Sequence, residues 1–183
     1  MKIFRKAAIV VFIGMSSCAT PKSYFTVDVR NKVENKAIQV DKLQYYVDRD
    51  VELRRELTSG EAKVISGKVR FENGKYIHII RLKKYTAGVC THIYKNSLDI
   101  SFEMGDGKKL TFGVNDNAPS NAVYQIYAES WIDQTSYRRV GRITYDGHVY
   151  FIQPWGSDAR LMINKSVVDK MQVDKRTMKG RKL

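Results

Sequence analysis

Cysteine is almost missing from this chain, with only Cys18 and Cys90 in 183 residues. Two thiols allow one disulfide at most, and paired CxxC metal or redox sites are excluded. Proline is nearly as scarce, at Pro21, Pro119 and Pro154, each in a polar or turn-like context. Glycine-rich phosphate loops are absent, and acids are outnumbered, 19 against 32 Lys and Arg. The carboxylates Asp48, Asp50, Glu52 and Glu56 offer no acid–base pair that spacing alone defines, because such geometry is set in three dimensions. No run of 18 apolar residues occurs, which excludes a membrane-spanning helix. Catalytic residues, cofactor and metal are therefore none on this reading.

What is present begins at the N-terminus. Ala7 to Met15 forms an apolar run between the basic "MKIFRK" and the small pair Ser16-Ser17. Such a run covers roughly 14 Å as a helix, against about 30 Å of hydrocarbon. A basic start, a short apolar stretch and small residues at its end are the marks of an export signal. Met15-Ser16-Ser17-Cys18 resembles the lipobox of bacterial lipoproteins, with Met15 where Leu is usual. The resemblance implies cleavage before Cys18 and diacylglycerol on its thiol, with palmitate among the acyl chains. Two or more such chains anchor a protein stably. The expected organisation is a signal peptide over 1–17, a tether over 18–23 and a β domain over 24–183, with a candidate sub-boundary in 115–121. With Cys18 acylated, Cys90 stands alone and the core is held by packing.

Removing residues 1–17 takes away Lys2, Arg5 and Lys6 and no acid, so the formal charge of +13 becomes +10. The last fourteen residues, "KMQVDKRTMKGRKL", hold six bases against Asp174. A basic chain raises the question of nucleic acid, but an exported one is expected to have no nucleic acid partner. Anionic lipid headgroups and acidic envelope polymers match its charge instead.

The hydrophobic pattern has a period of two. "LDISFEM" sets Leu98, Ile100, Phe102 and Met104 against Asp99, Ser101 and Glu103, and "LTFGV" alternates again. Asp106-Gly107, Asn73-Gly74 and Asp146-Gly147 each sit between two such runs, the signature of hairpin turns. "YFTVDVR", "AIQVDKLQYYV", "VELRREL", "AVYQIYAESWI" and "RLMIN" extend the set, whereas only "VVDKMQVDK" approaches a helical stripe. About ten short strands with turns between them predict an all-β antiparallel sandwich or barrel.

Three stretches carry candidate chemistry. Cys90-x-His92 puts a thiol and an imidazole on one face of a strand, where the pair of a small hydrolase or redox protein, or half a metal site, is geometrically possible, while a small buried cysteine is the expectation. "NDNAP" resembles part of the calcium-binding linker of cadherins over five residues, while Gly113 and Asn121 depart from it; an Asx-rich turn is the expectation. In "AVYQIYAESWI" alternation puts Tyr127 and Trp131 opposite Tyr124, Ile126, Ala128 and Ile132, and "QPWGSD" adds Trp155 on a loop. Aromatics beside hydrogen-bonding groups suit sugar rings or a protein partner.

"DVELRRELTSGEAKVISGKVRFENGKYIHIIRLKKYTAGVC" and "RLMINKSVVDKMQVDKRTMKGRKL" look like uncharacterised envelope lipoproteins of Bacteroides-type bacteria. That resemblance implies the cell envelope and no activity. Surface-exported lipoproteins of that group tend to carry acids just after the Cys and "CATPKS" has none, so the resemblance implies an outer membrane anchor facing the periplasm. The expected function is non-catalytic binding of a partner protein, an envelope polymer such as a polysaccharide, or lipid, through a basic and aromatic surface. Labelled palmitate is expected to enter the wild-type chain and not Cys18→Ser, read by autoradiography of the purified protein.

Overall fold

The computed structural model describes residues 20–65, 68–135 and 138–172; residues 1–17, Cys18 and the basic stretch 173–183 lie outside them. Numbered along the chain, the first strands are β1 (Lys22–Tyr24), β2 (Gln44–Val47), β3 (Val51–Leu57), β4 (Lys68–Glu72), β5 (Lys75–Leu82) and β6 (Ala87–Ile93). They are followed by β7 (Ser97–Ser101), β8 (Leu110–Gly113), β9 (Gln125–Ile126), β10 (Ser130–Thr135), β11 (Arg138–Tyr145), β12 (His148–Ile152) and β13 (Leu161–Asn164). Three short helices complete the described fold: α1 (Val27–Asn35), α2 (Ser59–Val64) and α3 (Lys165–Gln172).

The strands form two antiparallel sheets, ordered β1-β13-β2-β6-β7-β8-β9 and β10-β11-β12-β3-β5-β4. Neither closes into a barrel, and the architecture is a sandwich. One apolar cluster joins Tyr45, Leu98, Ile100, Phe112 and Ile163 of the first sheet to Leu53, Ile143, Tyr150 and Ile152 of the second. Area buried this way stabilises by about 25 cal/mol per Å². The cluster draws on residues from both sides of 115–121. Two isolated bridges, Thr26–Val123 and Gln125–Arg160, turn the β9 end of the larger sheet back toward β1 and β13.

Local chemistry explains the turns. Asn73-Gly74 and Asp146-Gly147 adopt positive φ at both residues, +49° and +80° in one, +51° and +71° in the other. That is the two-residue hairpin whose twist matches paired strands, and it joins β4 to β5 and β11 to β12. The Asp106-Gly107 connection is longer than its signal suggested. β7 ends at Ser101, and Met104, expected on the core face, is 97% exposed in the turn. "NDNAP" is a turn, with the Ala118 amide donating to the Asn115 carbonyl at 3.2 Å and Asn117 at φ +60°.

Several expectations need correction. "YFTVDVR" is not one strand. Thr26 caps α1, its hydroxyl accepting from the Val29 amide at 3.2 Å, and Val29 and Val33 then face the core one helical turn apart. Thr58 and Glu61 form a capping box at α2, a pattern legible in "TSGE". Lys22 and Ser23, expected in the tether, already pair with Asn164 and Ile163. Asp99, expected on the wet face, is buried. Burial alone would raise its pKa, but bonds from Lys109 and from Thr111 (2.7 Å) outweigh that and hold it below the usual carboxylate range.

Arg30 ties these elements together. Its guanidinium, on a residue 9% exposed, donates from Nη1 to the Lys95 carbonyl (3.0 Å) and the Tyr124 hydroxyl (2.9 Å). Nη2 donates to the Tyr94 carbonyl (3.0 Å) and Nε to Glu34 (2.8 Å). One side chain thus fastens α1 to the β6–β7 turn and to the segment entering β9. Arg30→Met removes these bonds and leaves the buried Tyr124 hydroxyl unpaired, so it is expected to cost about 2–4 kcal/mol. Arg30→Lys is expected to recover little, because an ammonium lacks the fork. Urea unfolding followed by circular dichroism measures both.

Candidate functional site

The chain changes sheets at residues 127–129. The Tyr127 amide donates to the Thr111 carbonyl (2.7 Å), and two residues later the Glu129 amide donates to the Arg142 carbonyl (2.9 Å). The first bond belongs to the larger sheet and the second to the smaller. Between the parted edges lies a cleft of about 570 Å³, walled by Gln125 and Tyr127, by the loop Asn115-Asp116-Asn117, and by Trp131 and Arg139 across from it.

The sheet change also corrects the expected alternation. Tyr124, Ile126 and Ala128 are buried and Gln125, Tyr127 and Glu129 exposed, as a single strand would have it. Beyond Glu129 the phase inverts. Trp131 packs partly against the core and Ile132 points outward, 52% exposed. Trp131 is paired with Gly141 of β11. A Cβ on Gly141 would stand 2.7 Å from the indole Cζ3, so the ring rests on bare backbone. The Arg139 guanidinium lies 4.2 Å from the ring centroid and bonds Asp158 at 3.1 Å. This stacking holds the indole and keeps the cationic edge neutralised.

Tyr127 is the hub of the region. It borders the main cleft, a hollow of about 330 Å³ beside Asn96 and Ser97, and another of about 260 Å³ beside Lys109 and Glu129. Asn96 donates to the Asp116 carboxylate, tying the β6–β7 turn to the Asx loop. The surface offers two aromatic rings, four amide or carboxylate side chains and one paired guanidinium.

Trp155 is not part of it. It sits on the 3-10 turn Pro154–Gly156, half exposed, with the Arg54 guanidinium 5.9 Å from its ring. The three aromatics singled out in the sequence therefore resolve into a pair, Tyr127 and Trp131, and a separate Trp155. Sequence reasoning missed Arg139 and Gly141. The lone glycine inside "RRVGRITY" was the available signal, since a glycine within a strand marks close approach.

Cys90 and His92 do not combine. A bulge between them pairs Cys90 with Ile100 but His92 with Asp99, breaking the shared face. The thiol, buried, donates to the His92 carbonyl at 3.3 Å, while the imidazole lies 4.5 Å from the Tyr94 ring on the exposed side. Burial pushes the Cys90 thiol up to about 11, the reverse of an activated nucleophile. Among the described residues no three His, Cys, Asp or Glu side chains assemble as a metal site requires.

Comparison with protein-family models, curated proteins and solved structures finds no match to this chain. Cys90 is expected to resist a thiol reagent near neutral pH until denaturant unfolds the sandwich, with label uptake tracking the unfolding curve. Rapid labelling of the folded protein would contradict this placement.

Proposed function

We propose that this chain is a lipid-anchored envelope lipoprotein, non-catalytic, that holds an envelope polysaccharide in the cleft between its two sheets. The carrying observation is that Tyr127 and Trp131, on segments belonging to different sheets, line one cleft opposite an Asn-Asp-Asn loop. Sugar rings present flat apolar faces edged by hydroxyls. The exposed ring of Tyr127 can meet such a face, the Arg139-covered indole of Trp131 backs the cleft wall, and amides and carboxylates meet the edges. The two hollows flanking Tyr127 give room for neighbouring units of a polymer.

Anchoring is supported by the lipobox-like Met15-Ser16-Ser17-Cys18 and by the short apolar run before it. The proposed location is the outer membrane, facing the periplasm, on the strength of "CATPKS". The alternative reading, a hydrolase or redox protein built on Cys90 and His92, has lost its geometric premise.

A Trp155→Phe variant leaves Trp131 as the sole indole, since the chain has two tryptophans. Its emission is expected to shift on titration with purified envelope polysaccharides. Trp131→Ala or Tyr127→Ala is expected to weaken binding roughly tenfold, in line with about 1 kcal/mol or more per aromatic contact. Trp131 emission unmoved by every envelope glycan refutes this reading of the cleft.

A further inference from the structure

A second surface gathers cations and aromatic rings, and it adjoins the cleft at Arg160, which bridges Gln125. Its base is the outer side of β1, β13 and β2. Tyr24 pairs with Met162 and Met162 with Tyr46, so these three share one face, and Lys22 joins them two residues before Tyr24. Lys22 Nζ stands 4.0 Å from the Tyr46 centroid and 5.5 Å from that of Tyr85. Lys84 Nζ lies 4.7 Å from Tyr85, and the Arg160 guanidinium 4.4 Å from Tyr24.

The acids within this surface are engaged. Asp48 is held by Arg160 (2.8 Å) and Arg49 (3.3 Å). Asp50 takes Lys83 Nζ (3.1 Å) and the Lys84 amide (2.8 Å). Five cations thus face two carboxylates, and the ammonium groups of Lys22 and Lys84 rest on rings rather than on acids.

Tyr85 is presented at some cost. It lies at the tip of the β5–β6 turn, 50% exposed, at φ +64°, a conformation that sterics disfavour for every residue with a side chain. The Tyr85 amide bonds the Val47 carbonyl (2.9 Å), which locks the turn and aims the ring outward.

The surface also marks where the described chain begins. Thr20 is exposed, and its carbonyl accepts from Lys22 Nζ at 3.2 Å. Residue 20, the first of the described residues, thus lies at this face.

We infer that this surface, formed by Lys22, Tyr24, Tyr46, Lys84, Tyr85 and Arg160, docks the domain onto an anionic phospholipid bilayer. Tyrosine rings suit the headgroup zone, where an apolar body and a polar tip are both satisfied. Lysine and arginine beside them answer the negative leaflet. The inference rests on the anchoring reading for its direction, because a lipid on Cys18 would bring this face to the membrane first. It goes further in assigning the domain a fixed orientation, with one face down.

The protein is isolated as the cell makes it and its N-terminus identified by mass spectrometry. It is then combined with vesicles of phosphatidylethanolamine and phosphatidylglycerol, or of phosphatidylcholine alone. Hydroxyl-radical footprinting reads the solvent access of Tyr85, with the exposed Met104 as reference. Tyr85 oxidation is expected to fall severalfold on the anionic vesicles only, with Met104 unchanged.

The double variant Lys22→Glu/Lys84→Glu is expected to lose that protection and to bind at least roughly tenfold more weakly, while melting as the wild type does. Tyr85→Gly is expected to melt no lower than wild type and still to bind less. An acylated chain that floats with anionic vesicles yet leaves Tyr85 as reactive as in buffer overturns this inference and keeps the anchor. An unacylated chain that shields Tyr85 does the reverse. Protection that survives the double charge reversal also overturns it.

Discussion

A buried guanidinium sets the terms for this fold. Arg30 has left water and satisfied its donors on groups from three places in the chain: Glu34 within its own helix, the Tyr94 and Lys95 carbonyls, and the Tyr124 hydroxyl. Burial by itself would lower its pKa, and the bonds to Glu34 and Tyr124 more than offset this. A cation so placed cannot be displaced cheaply, because the buried Tyr124 hydroxyl would be left without its partner. Tyr124 also packs edge-on against Phe25, 5.0 Å between centroids. The segment that follows it, Gln125 to Tyr127, is therefore delivered to a fixed place, and the cleft inherits its near wall from that constraint.

The far wall depends on a different economy of space. Trp131 can lie flat because Gly141 presents no side chain, and Arg139 is drawn over the ring by Asp158. Charge elsewhere is used in the same paired way. Glu52, buried in the smaller sheet, takes Arg54 at 2.7 Å and Arg81 at 2.6 Å. Much of the excess base that composition announced is thus neutralised locally. What remains unneutralised in the described fold includes Lys22 and Lys84, beside tyrosines and beside the start of the chain. The expected single basic and aromatic surface resolves into two, an aromatic cleft with balanced charge and a cationic face with aromatic rings.

The strands were legible because alternation and turn chemistry agree. The Asn73-Gly74 and Asp146-Gly147 hairpins are where the dipeptides put them, "VELRREL" is a strand to its ends and "RLMIN" is one from Leu161 on. α1 was not legible, since Phe25, Val27 and Val29 alternate as well as Val29 and Val33 repeat; Thr26 decides between them by capping, which periodicity does not register. Arg30 escaped for the same reason, as a strand would have turned it to water. Tyr127 and Trp131 were found by type, but their meeting depends on a change of sheet within three residues. No local pattern encodes such a crossing. The bulge at Cys90 likewise defeats a rule that counts every second residue.

The two isolated bridges have a consequence for crowding. By tying residues 123 and 125 to Thr26 and Arg160, they give the β9 end of the larger sheet backbone partners. The outer strands that remain are β1 in the larger sheet and β10 and β4 in the smaller. β4 carries Arg70 and Glu72 along its length, the kind of charged border that discourages a neighbouring copy from adding a strand. A second copy adding a strand at β4 would have to lay its own backbone beside those charges.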